Sequence, residues 1–391
     1  MKKSTTGSEL WIDQILLNRK IIITSGTGGV GKTTVSAALA VRVALLGKRA
    51  IVVTIDPAKR LATSLGLSGL GNDPMDLTER LDDLLMGLPA GLRNGLSHPI
   101  DHRSSQGRLY ALMPDAQETF ERFVGSLSSH PSITKRVIEN PIFQIFSKEF
   151  SGANEYMALQ RLLALHKTGD YDCIILDTPP SRNALAFLEA PQLLARFFDE
   201  KLIRWLVLPA NKIVAIGMKK ALGLLEKLTG AAFMTHLFEF ASALFDIRLK
   251  FSGALNQVTE LLKSQDVGFL MVSNPSPDTL SDIFHFLDNL KGHGFHFEGI
   301  IFNRTHFSPW KTSSETLQDF ETPAQRHAHK ILEALSARQR KAIQLLSVAL
   351  RERKLQTQGV TLPELSRDVH QLSDLLVIAQ AWTWPKNLEN L

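Results

Sequence analysis

Residues 20–34 read KIIITSGTGGVGKTT, and this stretch decides the fold. Its first part is a run of β-branched, apolar residues without polar alternation. That is the pattern of a parallel strand buried on both faces. Glycines end the run. Residues 33–46 then place small and apolar side chains at helical spacing, and Gly47 closes the helix. A second apolar run at 50–55 stops at Asp56 and Pro57. Strand, glycine loop, helix and strand in this order predict a doubly wound, mostly parallel α/β sheet.

A strand that ends in a glycine-rich loop and opens a helix suits an anion. Glycines let successive N–H groups turn inward, and the helix N-terminus adds partial positive charge. In this pattern Lys32 reaches the β- and γ-phosphates of a nucleotide, and the Thr33 hydroxyl binds Mg²⁺. GKT occurs once, so the chain holds one such loop. Asp56 and Asp177 each end an apolar strand, which places both at the carboxyl edge of the sheet, where ligands bind. Asp177 fits the acidic residue that holds the metal directly or through water. Asp56 fits a group that positions or deprotonates the attacking water. A helix N-cap or turn aspartate is the plainer account of each.

The 391 residues suffice for one large α/β domain with insertions or for two domains. Hydrophobic content of 44% and charged content of 21% predict an ordinary soluble, cytoplasmic protein. One cysteine, Cys173, excludes a disulfide framework and a multi-cysteine metal site within the chain. The first residues have no apolar segment behind their lysines, and Arg204 and Lys212 interrupt the apolar run at 202–218. No signal peptide or membrane span is expected. The net charge of +5 is spread out. Basic clusters at Arg338, Arg340 and Lys341, and at Arg351, Arg353 and Lys354, read as a solvated helix face. No aromatic residues interleave them, so no nucleic acid is expected as a partner.

The organisation along the chain is a single domain, 1–391, with helical insertions at about 115–168 and 183–263 forming a helical subdomain. Residues 66–107, rich in Gly, Pro, Ser and Asp, read as a mobile excursion with one helical piece near 77–86. Further strands are expected at 108–113, 172–177, 267–273, 299–303 and 360–365. Residues 323–356 read as one long basic helix or a hairpin, and 370–381 as a last helix. In the second insertion, residues 233, 237, 240, 241, 244 and 245 share a helix face, which Phe238 and Leu249 widen. Such a stripe packs as core or receives an apolar helix from a client.

Four ordered motifs carry a family resemblance. GTGGVGKTT at 26–34, DPAKRLATSLGL at 56–67, DTPPSRNALAFLEAP at 177–191 and the strand end at Asn303 are similar to the anion-transporting ATPase family. That family holds the arsenite-pump ATPase and the tail-anchored-protein targeting ATPase. The resemblance implies a P-loop ATPase that binds ATP and Mg²⁺. It implies that Gly28, Gly29, Val30, Gly31, Lys32, Thr33 and Thr34 form the phosphate loop. It implies that Asp56 is the switch I aspartate that orients water, and that Asp177 begins switch II. Asn303 matches the residue that reads the adenine edge, and Pro363, in LPEL at 362–365, belongs to the loop on the adenine face. A nucleotide-gated homodimer, or a heterodimer with a paralogue, acting on a hydrophobic or membrane-protein client is the implied assembly.

The chain departs from that pattern at Thr27, where one branch of the family carries a lysine that crosses to the partner's phosphates. Four accounts remain: slow hydrolysis, substitution by Lys59, Arg60 or Arg182, pairing with a paralogue that has the lysine, or a switch that hardly turns over. Arg60 and Arg182 place new cations near the γ-phosphate in the matched motifs, which favours substitution. An ATP-dependent switch or scaffold subunit, working with a paralogue or a membrane anion exporter, is the alternative function. Cys173 alone supplies neither the family's cysteine zinc clasp nor its metalloid cluster. The histidines at 285, 293, 296, 327 and 329 read as surface residues.

Overall fold

A computed structural model describes residues 11–55, 60–87, 107–127, 131–142, 144, 153–179, 189–191, 195, 230–306, 322–353, 357–365 and 367–382. The chain divides into two compact units. One comprises residues 1–113, 168–184 and 263–391, the other residues 114–167 and 185–262.

The first unit is built on an eight-stranded sheet. Its strands are β1 (Ile21–Ser25), β2 (Arg49–Thr54), β3 (Met75–Asp76), β4 (Arg108–Leu112), β5 (Cys173–Asp177), β6 (Val267–Ser273), β7 (Phe297–Thr305) and β8 (Gln358–Pro363). The helices, in chain order, are α1 (Trp11–Asn18), α2 (Lys32–Leu45), α3 (Arg60–Ser64), α4 (Thr78–Gly87), α5 (Ala116–Leu127), α6 (Pro131–Ile138), α7 (Ala153–Thr168), α8 (Ala231–Lys263), α9 (Leu280–His293), α10 (Pro323–Glu352) and α11 (Leu372–Gln380). The strand order is β3-β4-β2-β5-β1-β6-β7-β8. Neighbours are parallel except β3, which runs antiparallel to β4. The α/β, doubly wound, mostly parallel sheet read from the sequence is the one observed.

β1 lies between β5 and β6 and is buried along its whole length, which is why its sequence is an unbroken apolar run. The chain leaves β1 through α2 and returns to the sheet as β2, beyond β5. The order of strands therefore reverses at β1, and a crevice opens at its carboxyl end. α2 is rich in alanine, so its backbone can sit close to its neighbours, and its residues 35–44 are all buried. It packs on the sheet and against α1 and α11.

Four of the elements go beyond the sequence reading, α3 among them as little more than one turn. α1 is short, with buried Ile12, Ile15 and Leu16 on one face. α9 buries Ile283, Phe286, Leu287 and Leu290, and ends at Gly294 in a left-handed cap. β3 exists only through its pairing with β4. Residues 77–86, read as an isolated helical piece, belong to the core: Leu77, Leu81 and Leu85 are buried. Residues 88–106 of the excursion lie outside the described residues. Of the two readings of residues 323–356, one helix is observed over Pro323–Glu352, opened by a capping box between Thr322 and Gln325.

In the second unit, α5, α7 and α8 meet through aromatic rings. Phe123 lies edge-on to both Tyr156 and Phe251. Phe120, Phe123, Phe240, Ala241 and Phe251 are buried, so positions 240 and 241 of the helix stripe are core. Phe238 and Leu249 are exposed. Residues 196–229 are outside the described residues. Among the described residues no helix is long and apolar enough to cross a membrane.

α1 is fastened by a buried ion pair. Arg42 of α2 donates from Nε to Asp13 Oδ1 at 2.8 Å and from Nη2 to Oδ2 at 2.6 Å, with both residues 4% exposed. Removing one partner strands the other charge in the core. Asp13→Ala is expected to cost about 3–5 kcal/mol, and replacing both residues by apolar ones of similar volume much less. Urea unfolding of the two variants checks this.

Candidate functional site

The loop between β1 and α2 is residues 26–31. Gly26 has no room for a side chain, since a Cβ there would lie 2.2 Å from the Val272 carbonyl oxygen of β6. Gly31 has φ +82°, and a Cβ on it would stand 2.3 Å from Asn303 Nδ2. Val30 is buried and pins the loop, while Gly28 and Gly29 are exposed at its crest. Gly31 caps α2 without a side-chain hydrogen bond. The first N–H groups of α2 thus lack the usual serine or aspartate cap, the arrangement a phosphate oxygen complements.

Lys32 is 5% exposed. Its ammonium donates to the Pro179 carbonyl at 3.0 Å and to the Gly26 carbonyl at 3.3 Å. One side chain therefore ties the loop after β1 to the segment that follows β5. A buried ammonium needs such acceptors, and a phosphate would supply stronger ones. Thr33 and Thr34 follow in the first turn, both half-buried.

Asp177 ends β5 and is fully buried. The sheet register sets Thr24 of β1 and Thr54 of β2 directly opposite it. Thr54 Oγ1 donates to Asp177 Oδ2 at 2.9 Å. Ser36 Oγ, one turn into α2, lies 3.3 Å from Asp177 Oδ1 and 2.7 Å from Thr24 Oγ1. Thr178 Oγ1 donates to the Thr24 carbonyl at 2.8 Å. Thr24, Ser36 and Thr54 were not singled out from the sequence. Their signal was present: a hydroxyl at the end of each apolar strand, and one on the inner face of an otherwise alanine-rich helix.

A cleft of about 340 Å³ lies beside the loop, with Gly31, Thr34, Arg60, Asn303, Arg304 and Pro363 among its lining residues. Asn303 Nδ2 donates to the Val30 carbonyl at 2.9 Å, so the end of β7 touches the glycine loop directly. Pro363 ends β8 next to it. The structure thus brings Gly31, Thr34, Arg60, Asn303 and Pro363 to one cleft, and Lys32 and Asp177 to one buried network. Arg60 is exposed at the start of α3. Thr27 is half-buried. Asp56, Lys59 and Arg182 lie outside the described residues.

A family profile described as anion-transporting ATPase matches residues 19–86 and 115–352 of this chain. The chain belongs to the anion-transporting ATPase family. Among curated relatives, it is 27% identical to the putative arsenical pump-driving ATPase 1 of Aquifex aeolicus, over 67% of this chain and 57% of the relative. It is 24% identical to the putative arsenical pump-driving ATPase 2 of the same organism, over 73% of this chain and 80% of the relative. It is 27% identical to ATPase GET3 of Malassezia globosa, over 45% of this chain and 44% of that protein. The chain therefore spans about half the length of the first and third of these. Membership of an ATPase family is the coarse functional fact, and it agrees with a glycine loop whose lysine and helix N-terminus converge.

Cys173 begins β5 and is fully buried, which pushes its thiol from 9.0 up to about 12. At pH 8 that lowers its thiolate fraction by about a thousand-fold. Iodoacetamide is expected to leave the native protein unlabelled at pH 8 and to label it once urea unfolds it. Mass spectrometry reads both.

Proposed function

We propose that this chain is a Mg²⁺-dependent ATPase whose phosphate loop, residues 28–34, binds ATP at the carboxyl edge of the sheet. The observation that carries this reading is Lys32, buried at the start of α2 and bonded to both the Gly26 and Pro179 carbonyls. It stands where a nucleotide's terminal phosphates are gripped in such loops, and it links the grip to the segment after Asp177.

The residues suit a magnesium ion. Mg²⁺ takes hydroxyl and carboxylate oxygens together with waters and substrate phosphates. Thr33 would be the hydroxyl ligand, and Asp177, already accepting from Thr54, would act through water. The ion would neutralise charge on the phosphates during transfer. Asp56 orients the attacking water. Lys32 balances charge at the β- and γ-phosphates. Asn303 and Pro363 hold the adenine in the adjoining cleft. With threonine at position 27, Arg60 and Arg182 supply the cation that the lysine gives in related enzymes. Arg60 lines the adjoining cleft beside Gly31 and Thr34, at the end of the phosphate loop.

The chain acts in this reading as a cytoplasmic, nucleotide-gated dimer, with itself or with a paralogue, that handles a hydrophobic or membrane-protein client. The similarity to a putative arsenical pump-driving ATPase favours a pump as the partner. Thr27 favours one second reading, an ATP-dependent switch or scaffold subunit with little turnover, serving a paralogue or a membrane anion exporter.

Steady-state hydrolysis by the purified full chain separates the two. For the ATPase, Asp56→Asn lowers kcat by about 10²–10⁴ with little change in KM. Arg60→Ala or Arg182→Ala lowers it by about 10² or more, the size of losing one donor to the transition state. Wild-type kcat in both arginine variants would overturn the substitution. Tight binding without turnover in the wild type would select the switch.

A further inference from the structure

β7 and β8 pair in regular parallel register up to Phe302 opposite Thr361, and pairing resumes with Thr305 opposite Pro363. Between these points two residues, Asn303 and Arg304, face Leu362 alone. This is a β-bulge, a device that re-aims a side chain at the end of a strand. Arg304 has φ 59°, the one positive φ at a non-glycine position among the described residues. That conformation is unfavourable for a side chain of this type and persists only when neighbours hold it.

Gln339, in the middle of α10, is the holder. Its Nε2 donates to the Arg304 carbonyl at 2.9 Å, and its Oε1 accepts from the His306 N–H at 2.8 Å. The carbonyl can only accept and the N–H can only donate, so both bonds require this one orientation of the amide. On the other side of the bulge, Thr305 Oγ1 donates to the Leu362 carbonyl at 2.9 Å and the Glu364 N–H to the Thr305 carbonyl at 3.0 Å. The clamped bulge turns Asn303 onto the glycine loop, where Nδ2 meets the Val30 carbonyl.

We propose that Gln339 is a positioning residue that sets the base selectivity of the nucleotide site. This rests on reading the cleft as that site. By fixing the strained bulge, Gln339 fixes the plane of the Asn303 carboxamide. A carboxamide matches adenine, which offers an amino donor beside a ring acceptor. Guanine offers two acceptors on the same edge and leaves one of the pair opposed. Selectivity requires the amide to be held still: the Val30 carbonyl holds its nitrogen, and the clamped bulge holds the backbone from which it projects.

The test uses the full chain and displacement of a fluorescent nucleotide by ATP and by GTP. The wild type is expected to prefer ATP. In Gln339→Leu the ratio of the two Kd values falls about five- to a hundred-fold, the worth of one bidentate base contact. In Gln339→Glu, which keeps the acceptor for His306 and loses the donor to Arg304, the ratio falls less. Adding Arg304→Gly to Gln339→Leu restores part of it, because glycine adopts the bulge conformation without a clamp. Equal weakening of ATP and GTP, the mark of a general structural role, would overturn the proposal. So would an unchanged ratio, and that result would leave the nucleotide site standing. A wild type that binds neither nucleotide would remove the site and this inference together. If Gln339→Leu does not fold, the Gln339→Glu ratio decides alone.

Discussion

A carboxylate buried from bulk solvent must be met by hydrogen-bond donors, and Asp177 is in that position. Its oxygens are met by Thr54 from β2 and Ser36 from α2, while Ser36 also reaches Thr24 on β1. Three strand ends and the first turns of a helix must converge for this to happen. The parallel register that levels Thr24, Asp177 and Thr54 is thus as much a requirement of the carboxylate as of the apolar strands beneath it. Once Ser36 is placed, α2 has to begin close above the sheet. The chain then has only residues 26–31 in which to leave β1 and turn into the helix, with Val272 and Asn303 pressing on that path. Glycine at 26 and 31 is the consequence.

The same convergence gives the site its two halves. Lys32 and Asp177 sit at the junction of β1 and β5, with the Pro179 carbonyl joining them across the loop. Beyond β6 the sheet brings up β7 and β8, more than 250 residues later in the chain, whose ends supply Asn303 and Pro363. The reversal of strand order at β1 is what lets one loop serve both. A bulge held by α10 then turns the end of β7 toward the glycine loop. In the proposed reading, chemistry at the phosphates and recognition at the base are carried by different parts of the sheet, which meet at the bond from Asn303 to Val30.

Much of this was legible in the residues alone. Unalternating apolar runs mark β1, β2, β5 and β6, because strands buried on both faces have no polar side to show. The glycine loop was legible from its place between strand and helix, and Asp177 from its place at a strand end. α1 was not legible, since eight residues give barely two turns of pattern and its anchor is the Asp13–Arg42 pair across a tertiary contact. α9 carries a helical period, but the prolines at 275 and 277 draw attention to a loop before it. β3 has two residues and no pattern of its own. Ser36 and Thr54 were hidden for a different reason: a hydroxyl on an inner face acquires meaning only when the carboxylate it serves is placed beside it. Gln339 belongs to the same class, because its two partners lie 33 and 35 residues away.

The most direct measurement is calorimetric titration of ATP with Mg²⁺ into the full chain and into Lys32→Ala. One binding site per chain in the wild type, with affinity lost by tenfold or more in a variant that still unfolds cooperatively, is the predicted result. Equal affinity in both proteins, or no heat of binding in the wild type, would contradict the assignment of residues 28–34 as a phosphate site.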